Sequence, residues 1–426
     1  MAVSQWLRPP RHLVVLFLGI ALVLLCALAW LGWRLYQQDR ALEQQRVEIR
    51  LEHATDVVAT EHTRRLATIQ DRLAALSSDP LVDPSDSARS LATQFSANAI
   101  VLIIGKAGIA AHPRGRLLYH PATKPEPRTE PSVFAGAETL EFRTRDLTAA
   151  AREYRRLAQQ PDSQIRAGAL LRLARVELKA EHFDVALDAY HELRSLGSVE
   201  VAGLPAELVA RHACLSIEEQ FEPDDLQANA EALRNDLNTG RWHLTRAQYE
   251  FYVSETCRLT DCSADSIADD MAAKQGLAAG TEWLWNQRGT LEGHGHDITW
   301  DDGQPVFAVW HGSAERTVAL LGGATHLAED WIGALSPLLD EQGVAITLSD
   351  VSGRDLTKSI DSDLQPAVTR TVAVTRLPWT LTVVSADPLN DFAQLEDRRR
   401  LMLLGLAVLA LLVLVGLYAV TRGVSR

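Results

Sequence analysis

With 426 residues, 47% of them hydrophobic, the chain is long enough to bury a core and to divide into two or three units. Its formal charge of -13 argues against a nucleic-acid partner, because phosphates and an acidic surface repel. No Cys-x-x-Cys pair occurs, which argues against a zinc ribbon.

In chain order, residues 1–12 are expected to form a cytoplasmic tail, since Arg8, Arg11 and His12 precede an apolar run. Leu13 to Trp33 carries no charge. At about 1.5 Å per residue it reaches roughly 30 Å, the thickness of a bilayer core. Trp30, Trp33 and Tyr36 follow as interface residues, so 13–36 is predicted as a transmembrane helix. A cleaved signal peptide is the rival, with Ala27-Leu28-Ala29 as its site; the run past it to Trp33 favours retention. Residues 37–78 are predicted as one long juxtamembrane helix. Val47, Leu51, Ala54 and Val58, then Leu66, Ile69, Leu73 and Leu76, form a stripe at helical spacing. The stripe packs either within the chain or on a second copy, which would make a homodimer.

Asp79-Pro80 and Asp83-Pro84 break that helix. Within 79–140, Ala99 to Ile104 is a strand, Lys106 to Gly108 a turn and Ile109 to His112 a returning strand, followed by a proline-rich loop. Residues 141–262 are predicted to be helical throughout, with later helices near 203–219, 225–237 and 245–259. Ala150 and Tyr154 recur as Ala186 and Tyr190, a period of 36, with Leu170, Leu173, Ala174 and Phe183 between. These positions resemble the tetratricopeptide pattern; a plain helical bundle is the alternative. Cys257 and Cys262 are close enough to bridge on an oxidising side, or are buried thiols.

Residues 263–390 change to strands. Pro305 to Trp310 and Thr317 to Leu321 are a strand pair, Leu327 to Leu339 a helix, Gly343 to Leu348 a strand, and Val368 to Val374 with Trp379 to Val384 a closing hairpin. That order predicts one antiparallel sheet with a helix on one face. A short juxtamembrane helix at 391–400, a second uncharged run at 401–420 and a cytoplasmic tail at 421–426 complete the chain. Two spans would leave 37–400 outside a bacterial inner membrane, in the periplasm. The expected fold class is therefore an α+β membrane protein. Two transmembrane helices would flank an outer helical region and a sheet.

This layout resembles the extracytoplasmic sensor half of bacterial transmembrane histidine kinases. The segment Leu377-Pro-Trp-Thr-Leu-Thr-Val383 is similar to the last strand of Cache or PAS-like sensor domains, and Thr421 to Arg426 to the start of a kinase linker. The resemblance implies an input domain of a two-component system. A small-molecule or peptide ligand would bias the helices that lead to a cytoplasmic kinase module. The nucleotide boxes of such kinases are absent from this chain. The alternative is a membrane-anchored helical-repeat scaffold that binds envelope proteins.

No catalytic signature, metal set or cofactor motif stands out. His294-Gly-His296 with Asp297 offers two imidazoles, which is too few for a metal site by itself. Tryptophan is concentrated at Trp283, Trp285, Trp300, Trp310 and Trp331. Ligand pockets use aromatic walls with a few charged groups, which makes Trp283, Trp285, Trp310, His311, Arg316 and Trp331 the candidate ligand-binding residues. The competing reading has the tryptophans filling the core of the sheet. Alternation puts Phe307, Val309 and His311 on one face of their strand and Ala308 and Trp310 on the other.

Overall fold

The computed structural model describes residues 11–78, 84–95, 98–106, 108–122, 132–221, 225–260, 262, 269–313, 315–357, 367–387, 400–405, 407–412 and 415–416. The chain divides into two compact units, one of Met1–Arg65 with Ile332–Arg426, the other of Leu66–Trp331. Helix α1 (Arg11–Ser78) contributes to both. Its apolar stripe is buried: Val47, Leu51, Ala54 and Val58 in the first unit, Leu66, Ile69 and Leu73 in the second.

Among the described residues no helix is long and apolar enough to cross a membrane. This corrects the expected α+β membrane protein with spans at 13–36 and 401–420. The run at 13–36 is the opening stretch of α1, a 68-residue helix that continues well past it through many charged residues. The breakers Asp79, Pro80 and Asp83, the tails at 1–10 and 421–426, and 391–399 lie outside the described residues.

In the unit Leu66–Trp331, α2 (Pro84–Ala92) starts on a proline, whose fixed φ suits the first helical turn. Strand β1 (Ala99–Gly105) is apolar and buried on both faces up to Ile104. It turns through Gly108, at a φ of +137° open only to glycine, into β2 (Gly108–His112). After α3 (Ala135–Glu138) and a π-turn over Thr139–Thr144 comes the helical region. Its first members are α4 (Leu147–Leu157), α5 (Ser163–Lys179) and α6 (Phe183–Arg194). Asp146 caps α4 by accepting from the Ala149 N–H at 2.9 Å, and Asp162 caps α5 by accepting from Gln164 and Ile165. A two-strand turn, β3 (Glu200–Val201) and β4 (Leu204–Pro205), leads to α7 (Ala206–Phe221), α8 (Leu226–Asn238), α9 (Arg246–Thr260) and α10 (Asp269–Gln287). Helices α4 to α7 pack each on the next, and α8 packs on α9. Ala150, Tyr154, Ala186 and Tyr190 are all buried.

Three further strands, β5 (Gly293–Asp301), β6 (Gln304–Gly312) and β7 (Arg316–Gly323), join the first pair in one antiparallel sheet of order β2-β1-β7-β6-β5. The strands of 263–390 therefore do not form the single expected sheet. The physical reason lies in β1: with both faces apolar it is a central strand, and it takes β7 on the edge away from β2. Helix α10 lies on this sheet at close range. A Cβ on Gly280 would meet Val306 Cγ1 at 2.7 Å, so glycine sets the approach.

The predicted helix over Leu327–Leu339 is broken. Residues pass through α11 (Ala324–His326), a π-turn over Leu327–Ile332 and a 3-10 turn over Gly333–Leu335 before α12 (Ser336–Gln342). Pro337 at the start of α12 lacks the N–H that would continue the preceding turn.

In the unit with Ile332–Arg426, β8 (Val344–Ser349), β9 (Ala367–Arg370) and β10 (Thr380–Ser385) form a separate antiparallel sheet of order β8-β10-β9. The expected strand over 368–374 ends at Arg370, and Val372–Thr375 is a helical turn, α13. Trp379 is fully buried, edge-on to His62 of α1 at 5.7 Å, and Arg370 pairs with Asp56 of α1 at 3.0 Å.

Candidate functional site

Strand β6 is covered on both faces. Val306, Phe307, Ala308 and Val309 are at most 1% exposed, so neither face of this strand opens to solvent at its centre. The six expected ligand residues fall on opposite sides. On the α10 side, the Trp310 ring meets Trp283 at 6.2 Å, and Trp285 is buried beneath the Arg288 guanidinium at 4.0 Å. On the other side, His311 Nδ1 lies 2.6 Å from Ser77 Oγ, and Arg316 donates to the Leu76 carbonyl at 3.5 Å. Trp331 is fully buried there, edge-on to Phe307 at 5.5 Å. The sheet stands between Trp283, Trp285 and Trp310 and the other three, so the six do not surround one space.

Sequence reasoning missed the buried chain that holds Trp331. Its indole N–H donates to His326 Nε2 at 3.2 Å, which leaves Nδ1–H to donate to the Asp330 carboxylate at 2.6 Å. The only signal was His, Asp and Trp at spacings of four and one, which many helices share. With both ring nitrogens engaged, His326 is a structural group.

His294 and His296 lie on β5, with His294 directly opposite His311 of β6 and His296 opposite Val309. Burial lowers the His296 pKa, the neighbouring Asp297 partly opposes this, and His294 adds to it. Among the described residues no three His, Cys, Asp or Glu side chains stand close enough, as they are placed, to hold a metal.

The helical region carries a cleft of about 180 Å³ between α6 and α7, lined by Phe183, Asp184, Leu187, Ile217, Glu218 and Phe221. The rings of Phe183 and Phe221 stand 4.2 Å apart, and Phe221 is 44% exposed. Glu218 accepts from the Asn229 amide at 3.0 and 3.1 Å, which orients its carboxylate. Apolar walls with two carboxylates suit a side chain that is apolar and flanked by positive charge. In the sequence Phe183 stands out only as a repeat position, and nothing there pairs it with Phe221, 38 residues later.

Cys257 and Cys262 form a disulfide at the end of α9, and Cys214 is a buried thiol whose pKa burial pushes up to about 11. Closing so short a loop stabilises by about 2 kcal/mol through the unfolded chain. The double substitution Cys257→Ser, Cys262→Ser is expected to lower the denaturation midpoint accordingly, and reductant should then have no further effect. An unchanged midpoint would show that the bridge contributes nothing.

A comparison with known proteins finds no matching family model, no matching curated protein and no matching solved structure.

Proposed function

We propose that this chain is a binding module whose helical region holds a segment of another protein, on an oxidising side of the cell. The cleft between α6 and α7 carries the reading. Its volume of about 180 Å³ falls below the roughly 300–1,000 Å³ of pockets that enclose a metabolite, and it suits one anchoring side chain of a peptide. The helix-on-helix stacking of α4 to α7 supplies the rigid frame such recognition needs. The bridge between Cys257 and Cys262 supports the compartment, since such bonds persist where thiols are not kept reduced.

Selection of displayed random peptides against the full chain tests this. An enriched apolar anchor is expected, with affinity reduced about tenfold, near 1.4 kcal/mol, by Phe221→Ala. Phe221 is exposed, so the substitution should leave the fold intact. Enriched peptides that bind Phe221→Ala and Leu187→Glu as well as the unaltered chain would overturn the proposal, as would a selection that yields no motif.

A further inference from the structure

Helix α1 carries two rows of apolar residues on opposite sides. Val47, Leu51, Ala54 and Val58 are buried in their own unit. Leu35, Leu42 and Ile49 form the other row, at 55%, 54% and 56% exposed, and Leu28 extends it one step back at 50%. At 3.6 residues per turn, Leu35 and Leu42 lie within about 40° of Ile49 around the helix, whereas the buried row lies about 140–200° from it. We infer that the exposed row is the seam of a parallel two-stranded coiled coil with a second copy of this chain.

The period is the first support. From Leu28 to Ile49 every step of the row is seven residues. On a straight helix such a row drifts by about 20° per step, so it stays in contact only with a helix that winds around it in a left-handed supercoil. A second copy carries the same row by construction, and in a parallel pair each residue meets its own counterpart.

The placement of charge is the second. Between Arg34 and Arg50, charged residues fall at 34, 39, 40, 43, 46, 48 and 50, and none falls at 35, 38, 42, 45 or 49. Three residues after Leu35 and Leu42 stand Gln38 and Gln45; four residues after them stand Asp39 and Arg46. Only the three-residue step keeps charge out of a seam where each residue faces itself, so the leucines take the first core position of the heptad and the glutamines the second. Both glutamines are exposed, and each amide can donate to and accept from its twin across the pair. Polar residues in a seam lower its stability and fix its register. The next core position is Glu52, and like charges there end the row.

The flanks are the third. In a parallel pair the residue just before each first core position faces the residue five further on in the other copy. That spacing matches Arg34 with Asp39, Ala41 with Arg46 and Glu48 with His53, and none of the three is a like-charge pair.

Cysteine scanning of the full chain tests the seam. In a Cys26→Ser background, single cysteines replace residues 35, 37, 38, 42, 44, 45 and 49 under mild oxidation. Cys214 is buried and Cys257 is bonded to Cys262, so the introduced thiol is the one that reacts. Disulfide-linked dimer is expected at 35, 38, 42, 45 and 49 and is expected to be lost at 37 and 44, two exposed positions on the flank away from the seam. Sedimentation equilibrium should give twice the chain mass, falling to one chain in the double variant Leu42→Glu, Ile49→Glu. Both residues are exposed, so amide exchange in β8 and β10 should stay as in the unaltered chain. Equal crosslinking at all seven positions, as aggregation would give, overturns the inference. So does crosslinking strongest at 37 and 44, or a single-chain mass for the unaltered protein. A single-chain protein that floats with phosphatidylglycerol vesicles would assign the row to lipid instead.

Discussion

Replacing Trp331 with alanine is expected to destabilise the unit Leu66–Trp331 by about 3–5 kcal/mol, the range for a large aromatic removed from a close-packed core. The side chain is fully buried and edge-on to Phe307 of β6 at 5.5 Å. Its loss also removes the donor to His326 Nε2, so a buried imidazole acceptor loses its partner, which adds desolvation cost to the cavity. Trp331→Phe keeps most of the volume and loses the hydrogen bond, and should cost about 1–3 kcal/mol. The chain has two units, so a single global melting curve would blend two transitions. Amide hydrogen exchange of β6 and β7 reads the right one: protection there should fall by several orders of magnitude in Trp331→Ala, while β8 and β10 change little. A shift worth less than about 1 kcal/mol in β6 would mean that Trp331 is not part of the core in solution.

The second large effect is expected at Glu141. This carboxylate, in the π-turn before α4, is fully buried, and it accepts from Arg175 Nε at 3.0 Å, Arg175 Nη2 at 2.7 Å, Lys179 Nζ at 2.6 Å and the Tyr154 hydroxyl at 3.0 Å. Removing one member of a buried ion pair costs about 3–5 kcal/mol when the remaining charge stays buried. Here Arg175 and Lys179 are 42% and 43% exposed and regain water, so the expected cost of Glu141→Ala is about 2–3 kcal/mol. Tyr154 is fully buried and is left without this acceptor, which is why the cost does not fall further.

The same group makes stability depend on pH. Burial would raise the Glu141 pKa, but hydrogen bonds from Arg175, Lys179 and Tyr154 and the charge of Arg175 outweigh it and hold the carboxyl below its ordinary value. A depressed carboxyl contributes stability that is fully present above its unfolded pKa and is lost as pH falls through the folded one. The stability difference between the unaltered chain and Glu141→Gln should therefore be constant near neutrality and shrink below about pH 4. Urea unfolding at a series of pH values, followed through amide exchange in α4 and α5, measures it. A difference that grows on acidification would have the wrong sign for this account.

Periodicity carried much of the local structure. The four-three spacing of Val47, Leu51, Ala54 and Val58 marks the buried stripe of α1, and Ala150, Tyr154, Ala186 and Tyr190 mark inward positions of the helical region. The alternation of Phe307, Val309 and His311 against Ala308 and Trp310 separates the two faces of β6. Hydropathy misled where a local window was asked for a global answer. The uncharged runs at 13–33 and 401–420 satisfy a length rule in sequence, whereas no described helix meets it. The tryptophan cluster misled in a similar way: closeness along the chain says nothing about which face of a sheet each ring reaches.

The sequence by itself determined the turn at Gly108, the inward residues of α1 and of the α4 and α6 repeat positions, the two faces of β6, and the acidic balance of the whole. These depend on spacings of a few residues, and the geometry of a helix or strand converts such spacings directly into faces. Only the tertiary structure decided that β1 joins β7 across more than two hundred residues, that β8 to β10 form a sheet of their own, and that Phe183 meets Phe221. It alone also placed His294 opposite His311. Strand partners are chosen by burial and hydrogen-bond completion over the whole chain, and several pairings satisfy the same local pattern equally well.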